Sequence, residues 1–228
     1  MRTLCSSIPK FLYYIYLTYN FIFFVHTEWG GEIMDYYKLC EIIFRCILLI
    51  PVIYHLYKRE FKYLGSIFLI FALSFLSDLC IVFFNISIDL LSNYIYLIFI
   101  FMALYLGSSL GYYDKYSWWD RSIHFLSGIA FTGFGIAITN TYFRSIKWGI
   151  LLFCFCFSIT LHVFWELLEY ITDCFIHSNA QRWQTNHPST NHNSDKSIQP
   201  AGLVDTMNDF ICCMVGSLLS IFAWWFLI

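Results

Sequence analysis

Three short stretches carry the residue types that could do chemistry. Asp120 and His124 lie four apart in Trp119-Asp120-Arg121-Ser122-Ile123-His124-Phe125, Glu166 and Glu169 three apart in Trp165-Glu166-Leu167-Leu168-Glu169, and Asp205 and Asp209 four apart in Asp205-Thr206-Met207-Asn208-Asp209. On a helix these spacings put both members of a pair on one face. Carboxylate oxygens joined by an imidazole suit a divalent cation such as Mg²⁺, Mn²⁺, Zn²⁺ or Fe²⁺. A cation held there would make a nucleophile of water near neutral pH. Arg121, Lys115 or Arg182 could balance part of the same charge as ion-pair partners.

The elements that position these pairs are membrane helices. Of 228 residues, 59% are hydrophobic, 22% aromatic and only 12% charged, which excludes an ordinary soluble chain. The expected fold is all-α, a polytopic transmembrane helix bundle. A bilayer core needs about 20 apolar residues per helix, and the candidate spans are 9–26, 37–57, 63–86, 91–110, 121–143, 148–171 and 207–228. The first is short and carries Asn20, so the count is six or seven. Its apolar run, Phe11 to Val25, follows Arg2 and Lys10 without a small-residue cleavage site and reads as an uncleaved anchor. A net charge of -2 with both signs sparse gives no basic field, so no nucleic-acid partner is expected. The nine cysteines are odd in number, sit mostly in apolar runs and form no C-x-x-C pair, and so read as small hydrophobes.

Two parts are expected: residues 1–111 with about four spans, and residues 112–228 with the three helices that carry the pairs. The stretch 174–201 is too rich in hydrogen-bonding groups for lipid and reads as an aqueous loop, with its His187 and His192 solvated. The basic residues of the connections favour a cytoplasmic N-terminus, although Arg144 and Lys147 fall on the other side. Helix 148–171 runs opposite to its two neighbours and carries its pair at its end rather than its start, so all three pairs share one membrane face. At about 1.5 Å per residue, His124 lies about 30 Å from Arg144, Glu166 about 28 Å from Lys147 and Asp209 about 28 Å from Ile228. His162, Glu166, Glu169 and Asp173 follow steps of four, three and four along a single face. A second set of intramembrane charges, Glu41, Arg45 and Asp78, could form an ion cluster. It reads first as a structural clamp and second as a relay.

Each pair alone has a plainer reading. Asp120 could cap its helix and Asp205 the last one, and His162 reads as a packed histidine. Three pairs at one depth point instead to a shared polar site, because intramembrane acids are costly.

The C-terminal half resembles the VanZ-like and YjdF-type bacterial membrane proteins. Asp120, His124 and Phe125 match an acid and His-Phe that open one helix, Glu166 and Glu169 match an E-x-x-E that ends the next, and Asp205, Asp209 and Gly216 match a D-x-x-x-D with a later glycine. Arg121 stands where VanZ-like chains often carry lysine, and Cys213 where they tend to place asparagine, so the YjdF type is nearer. The likeness covers residues 112–219 and implies a multi-pass protein of the bacterial plasma membrane. VanZ-like proteins are associated with reduced glycopeptide sensitivity, and the resemblance locates a site more than a reaction.

The leading expectation is an enzyme acting on a membrane lipid, lipid-linked substrate or cell-envelope precursor by metal-assisted hydrolysis or transfer. His124 and Glu166 would be catalytic with Asp120 orienting the histidine. The metal ligands would come from His124, Glu166, Glu169, Asp205 and Asp209, and Arg121 would meet phosphate. The alternatives are a proton- or ion-coupled transporter, in which Glu41, Arg45 and Asp78 form a second station, and a non-catalytic scaffold.

Overall fold

The structure is a computed structural model that describes residues 32–143, 146–177, 180–181 and 199–227. The expected first span, Arg144, Arg182, His187 and His192 lie outside the described residues. Among the described residues the secondary structure is helical without a strand. Among the described residues six stretches are long and apolar enough to cross a membrane: Lys38–Lys58, Phe61–Phe84, Leu90–Ser109, Trp119–Tyr142, Lys147–Phe175 and Ala201–Leu227. The all-α membrane bundle follows directly from the composition, because in lipid a helix is the element that satisfies its own backbone.

The chain divides into two compact units, Met1–Ile47 and Leu48–Ile228. In the first, helix α1 (Glu32–Ile47) carries the i,i+4 pair as its spacing predicts. Arg45 Nη2 lies 3.3 Å from Glu41 Oε2, and Lys38 Nζ lies 3.9 Å from the same oxygen.

The second unit begins with α2 (Leu49–Lys58), a short 3₁₀ turn, α3 (Leu64–Leu73) and α4 (Leu76–Phe84). Asp78 is buried in the first turn of α4. The expected third span is thus two helices, parted where Ser74 Oγ donates to Phe71 O at 2.7 Å and the turn tightens. Helix α5 (Leu90–Ile100) starts at Asp89, whose Oδ1 accepts from Ser92 N at 3.0 Å. It then continues as a π-helical segment, Phe101–Ser109. That segment is tied to α2 by Tyr105 Oη, 2.8 Å from His55 Nε2, while His55 Nδ1 lies 2.9 Å from Glu60 Oε2.

Gly111, in the left-handed region at φ 72°, turns the chain into a short helix α6 (Tyr112–Lys115) and then α7 (Trp119–Tyr142). Tyr112, Tyr116, Trp118 and Trp119 pack there edge-to-face or tilted, with Lys115 over two of the rings. Such an aromatic and cationic cluster is typical of a membrane interface. A matching cluster of Trp148, Trp225 and Lys147 sits at the far end, on α8 (Lys147–Ile176) and α9 (Ala201–Leu227).

Helix α7 is the centre of this unit and packs against α5, α8 and α9. Its contact with α9 is backbone to backbone. A Cβ on Gly128 would run into the carbonyl oxygen of Cys213, and one on Gly216 into that of Phe125. Around this crossing, Ser158 Oγ and Ser217 Oγ lie 2.9 Å apart, each 3.3 Å from Gly128 O. One carbonyl of α7 therefore gathers hydroxyls from both neighbours, a form of helix association suited to lipid, where apolar burial gives little drive.

Helix α9 begins six residues earlier than the hydropathy pattern indicates, with Val204 N donating to Pro200 O at 3.1 Å. Asp205 accordingly lies within the helix rather than at its cap. Trp118, not Asp120, holds the N-cap position of α7. Gly128→Ala is expected to lower stability by about 1–3 kcal/mol through forced separation of α7 and α9. Gly65→Ala, where nothing lies within 4 Å, should leave it unchanged or slightly raised. Thermal unfolding in detergent of the two variants checks the contrast.

Candidate functional site

The first two turns of α7, the middle of α8 and the third turn of α9 meet just inside the Tyr112–Trp119 aromatic cluster. His124 is the hub. Its Nε2 lies 3.3 Å from Asp120 Oδ1 on its own helix and 4.0 Å from Asp209 Oδ2 on α9. Its Nδ1 lies 3.3 Å from Nδ1 of His162 on α8, with the two rings nearly perpendicular and 4.9 Å apart. His162 Nε2 in turn lies 3.5 Å from Glu166 Oε1, one turn along α8. Phe210 closes the other edge of the His162 ring at 4.5 Å. All five polar side chains are buried.

Several of these atoms lack the partners that buried polar atoms ordinarily have. One carboxylate oxygen of Glu166, Oδ1 of Asp209 and Nε2 of His162 make no hydrogen bond among the described residues, and the Thr206 hydroxyl lies beside the Glu166 carboxylate as a donor. Among those residues neither Glu166 nor Asp209 forms an ion pair with lysine or arginine. Two donor sets arise that share His124, one of His124, His162 and Glu166 and one of Asp120, His124 and Asp209. Within each, one donor atom per residue lies within 4.8 Å of the others.

The protons of the two histidines are too few for these contacts. Asp120 to His124 and His124 to His162 each need a proton between their heavy atoms, and a third would turn the 3.5 Å approach of His162 to Glu166 into a hydrogen bond. Two neutral imidazoles bring two N–H groups in all. Whichever tautomers are chosen, one pair of lone pairs faces another, so the cluster is short of one positive charge. Uncompensated buried charge is expensive, and a proton or a metal cation at this point would complete the set.

Of the residues singled out by spacing, Asp120, His124, Glu166 and Asp209 are thus brought together. Glu169 and Asp205 stand apart from both donor sets. Glu169 is half-buried, and its Oε1 accepts from Trp165 Nε1 at 2.7 Å. Asp205 is half-buried one turn before Asp209. Arg121 is exposed. Asp173, the last member of the α8 stripe, accepts from Ala180 N and Gln181 N at 2.7 and 3.0 Å and so fastens the chain beyond α8. His162 is the residue that its sequence context undervalued. Its i,i+4 relation to Glu166 was the available signal, but a lone histidine on an apolar face more often packs than binds.

Two cavities flank the cluster. One of about 530 Å³ runs along α7 and is lined almost wholly by apolar side chains, with His124 and His162 at its polar end. The other, of about 440 Å³, is more polar and is lined by Asp114, Asp120 and Glu169 among others. Trp165 and Leu168 line both.

Residues 13–228 match the family described as "Predicted membrane protein (DUF2238)". The chain belongs to that family. The match spans nearly the whole chain rather than the C-terminal half alone, and the YjdF type falls within it, whereas a VanZ-like kinship is not shown. An uncharacterised protein of Thermotoga maritima is 27% identical over 121 residues, which cover 51% of this chain and 53% of that protein. The chain thus spans about half the length of this relative. No solved structure matches.

A site short of positive charge strains the protein that carries it. In chelator-treated protein, Glu166→Leu is expected to raise stability by about 1–3 kcal/mol, a rise of a few degrees in Tm, because it removes a buried carboxylate with more lone pairs than donors. Glu169→Gln, whose acceptor already serves Trp165, should give no such gain. An equal or lower Tm for Glu166→Leu would show the carboxylate to be satisfied.

Proposed function

We propose that the protein is a metal-dependent membrane enzyme that hydrolyses, or transfers a group from, a lipid or lipid-linked substrate at one interface of the bacterial plasma membrane. The observation that carries this reading is the missing positive charge in the buried cluster of Asp120, His124, His162, Glu166 and Asp209, where atoms of His162, Glu166 and Asp209 are orphaned. The donor set fits a cation. Two imidazoles and a carboxylate are the ligands of many catalytic zinc and non-haem iron sites and also suit manganese, whereas magnesium and calcium prefer oxygen alone.

In this reading His124, His162 and Glu166 would hold the ion. Asp120 accepts the Nε2–H of His124, which fixes the ring and leaves Nδ1 free to bind. A bound ion of this class supplies Lewis acidity to water and to the bond that breaks. Asp209, one oxygen of which has no partner, would serve as the general base that takes the proton of the attacking water. That proton passes on to the departing group. The apolar walls beside the histidines keep bulk water out and strengthen each of these interactions.

A proton in place of the ion would give the second reading, a proton-coupled carrier. The acids of α7, α8 and α9 are gathered at one depth beside an aromatic belt rather than strung along a path, which favours the enzyme.

Metal content of the purified full-length protein after reconstitution with Zn²⁺, Mn²⁺ or Fe²⁺ tests the reading. About one ion per chain is expected in wild type. Glu166→Gln and His162→Ala should lower affinity by about tenfold or more, and Asp120→Asn by a comparable factor through the lost orientation of His124. Wild-type protein that retains none of the three ions would overturn the proposal.

A further inference from the structure

The two cavities narrow the substrate class, an inference that rests on the metal-site reading. The larger cavity is bounded along α7 from Ile123 to Ile138, about 22 Å of helix at about 1.5 Å per residue. One leaflet of a bilayer core is about 15 Å deep, so this length accepts a full hydrocarbon chain. Phe99, Phe131, Phe134 and Phe157 form much of its wall, and its polar groups gather at the His124 and His162 end. Its volume of about 530 Å³ lies within the usual range of about 300–1,000 Å³ for small-molecule sites.

The second cavity lies across Trp165 and Leu168, on the Asp120 side of His124. Its polar lining is Asp114, Asp120 and Glu169 with the hydroxyls of Ser108, Tyr113 and Thr172, and among the described residues no lysine or arginine lines it. Arg121, expected to meet phosphate, lines neither cavity. Three carboxylates repel an anionic head and accept hydrogen bonds from hydroxyl or ammonium groups.

We propose that the apolar cavity holds the hydrocarbon chain of a single-chain amphiphile whose head is hydroxyl- or amine-bearing rather than anionic, with the head on the Asp114–Glu169 side and the bond to be acted on beside His124. The chain sets the register of the substrate, and the head is selected by the acids of the polar cavity. Cys80 and Ile138, which line the chain cavity away from the histidines, are the positions from which it can be filled without touching the site.

The test uses full-length protein in phosphatidylcholine nanodiscs and a palmitoyl chain with a terminal diazirine, carrying a glucosyl, ethanolamine or phosphate head. Photolabel is expected on the Phe131 to Ile138 part of α7, with the glucosyl or ethanolamine head preferred over phosphate. Cys80→Trp and, independently, Ile138→Trp should reduce that label by about tenfold, as a blocked pocket does, with metal uptake unchanged. Label confined to outward side chains such as Phe222, which lines neither cavity, label indifferent to both substitutions, or preference for the phosphate head would overturn the assignment. Metal uptake without chain label removes this assignment alone. Chain label without metal uptake removes the metal reading instead.

Discussion

The balance of charge around His124 is the constraint on which the rest of the unit depends. Three close approaches would take three protons to become hydrogen bonds, and two neutral imidazoles bring two. In water the shortfall would be trivial, since solvent would insert and screen it. Inside a helix bundle the same shortfall weighs far more, because the low dielectric magnifies both the repulsion of bare lone pairs and the attraction for a proton or cation. Orphaned atoms on Glu166, Asp209 and His162 therefore indicate affinity held in reserve, and a site of this kind is tolerated only where packing over-determines it.

The packing that does so is the approach of α7 to α9. Gly128 and Gly216 allow the two backbones into contact, and the serines of α8 and α9 converge on one carbonyl of α7 at the same level. Gly128 lies one turn beyond His124, so the crossing sets the spacing between His124 and Asp209 directly. On the other side, Ser127 Oγ donates to His124 O at 2.8 Å. The aromatic cluster before Trp119 fixes where α7 enters the membrane. Local geometry, helix contact and membrane depth therefore converge on the same few residues, and the site has little freedom to relax by moving a helix.

Much of this was legible in the sequence because it rests on hydropathy and on helical period. The last three spans, their antiparallel order and the depth shared by Asp120, Glu166 and Asp209 all follow from counting residues along helices. What spacing could not settle is which member of each pair turns inward. Helices that cross at an angle meet over about one turn, so Glu166 and Asp209 join His124 while Glu169 and Asp205, one turn away, do not share its donor sets. The start of α9 at Ala201 was hidden because Asp205, Thr206, Asn208 and Asp209 depress hydropathy over the very turns that carry the site. The π segment at Phe101–Ser109 has no period of its own to betray it, and depends on long-range contacts such as Tyr105 to His55. The role of His162 is also a tertiary fact, since only the placement of α7 against α8 brings its Nδ1 to that of His124.

The position of the cluster along the helices bears on its chemistry as much as its composition does. A carrier needs polar groups spaced through the bilayer so that a proton or solute is never left without a partner. Here the polar residues of α7 between Ser127 and Asn140 are threonines whose hydroxyls are spent on their own helix, Thr132 on Gly128 O and Thr139 on Gly135 O and Ile136 O. The space that continues from His124 along α7 is walled by phenylalanine and isoleucine instead. A path for ions does not follow from such walls, but a slot for hydrocarbon does, since an apolar lining gains from a chain and rejects water. An acidic cluster at the head of such a slot would meet the junction between the polar and apolar parts of an amphiphile. Chemistry at that junction can use a single cation, without any groups farther into the membrane.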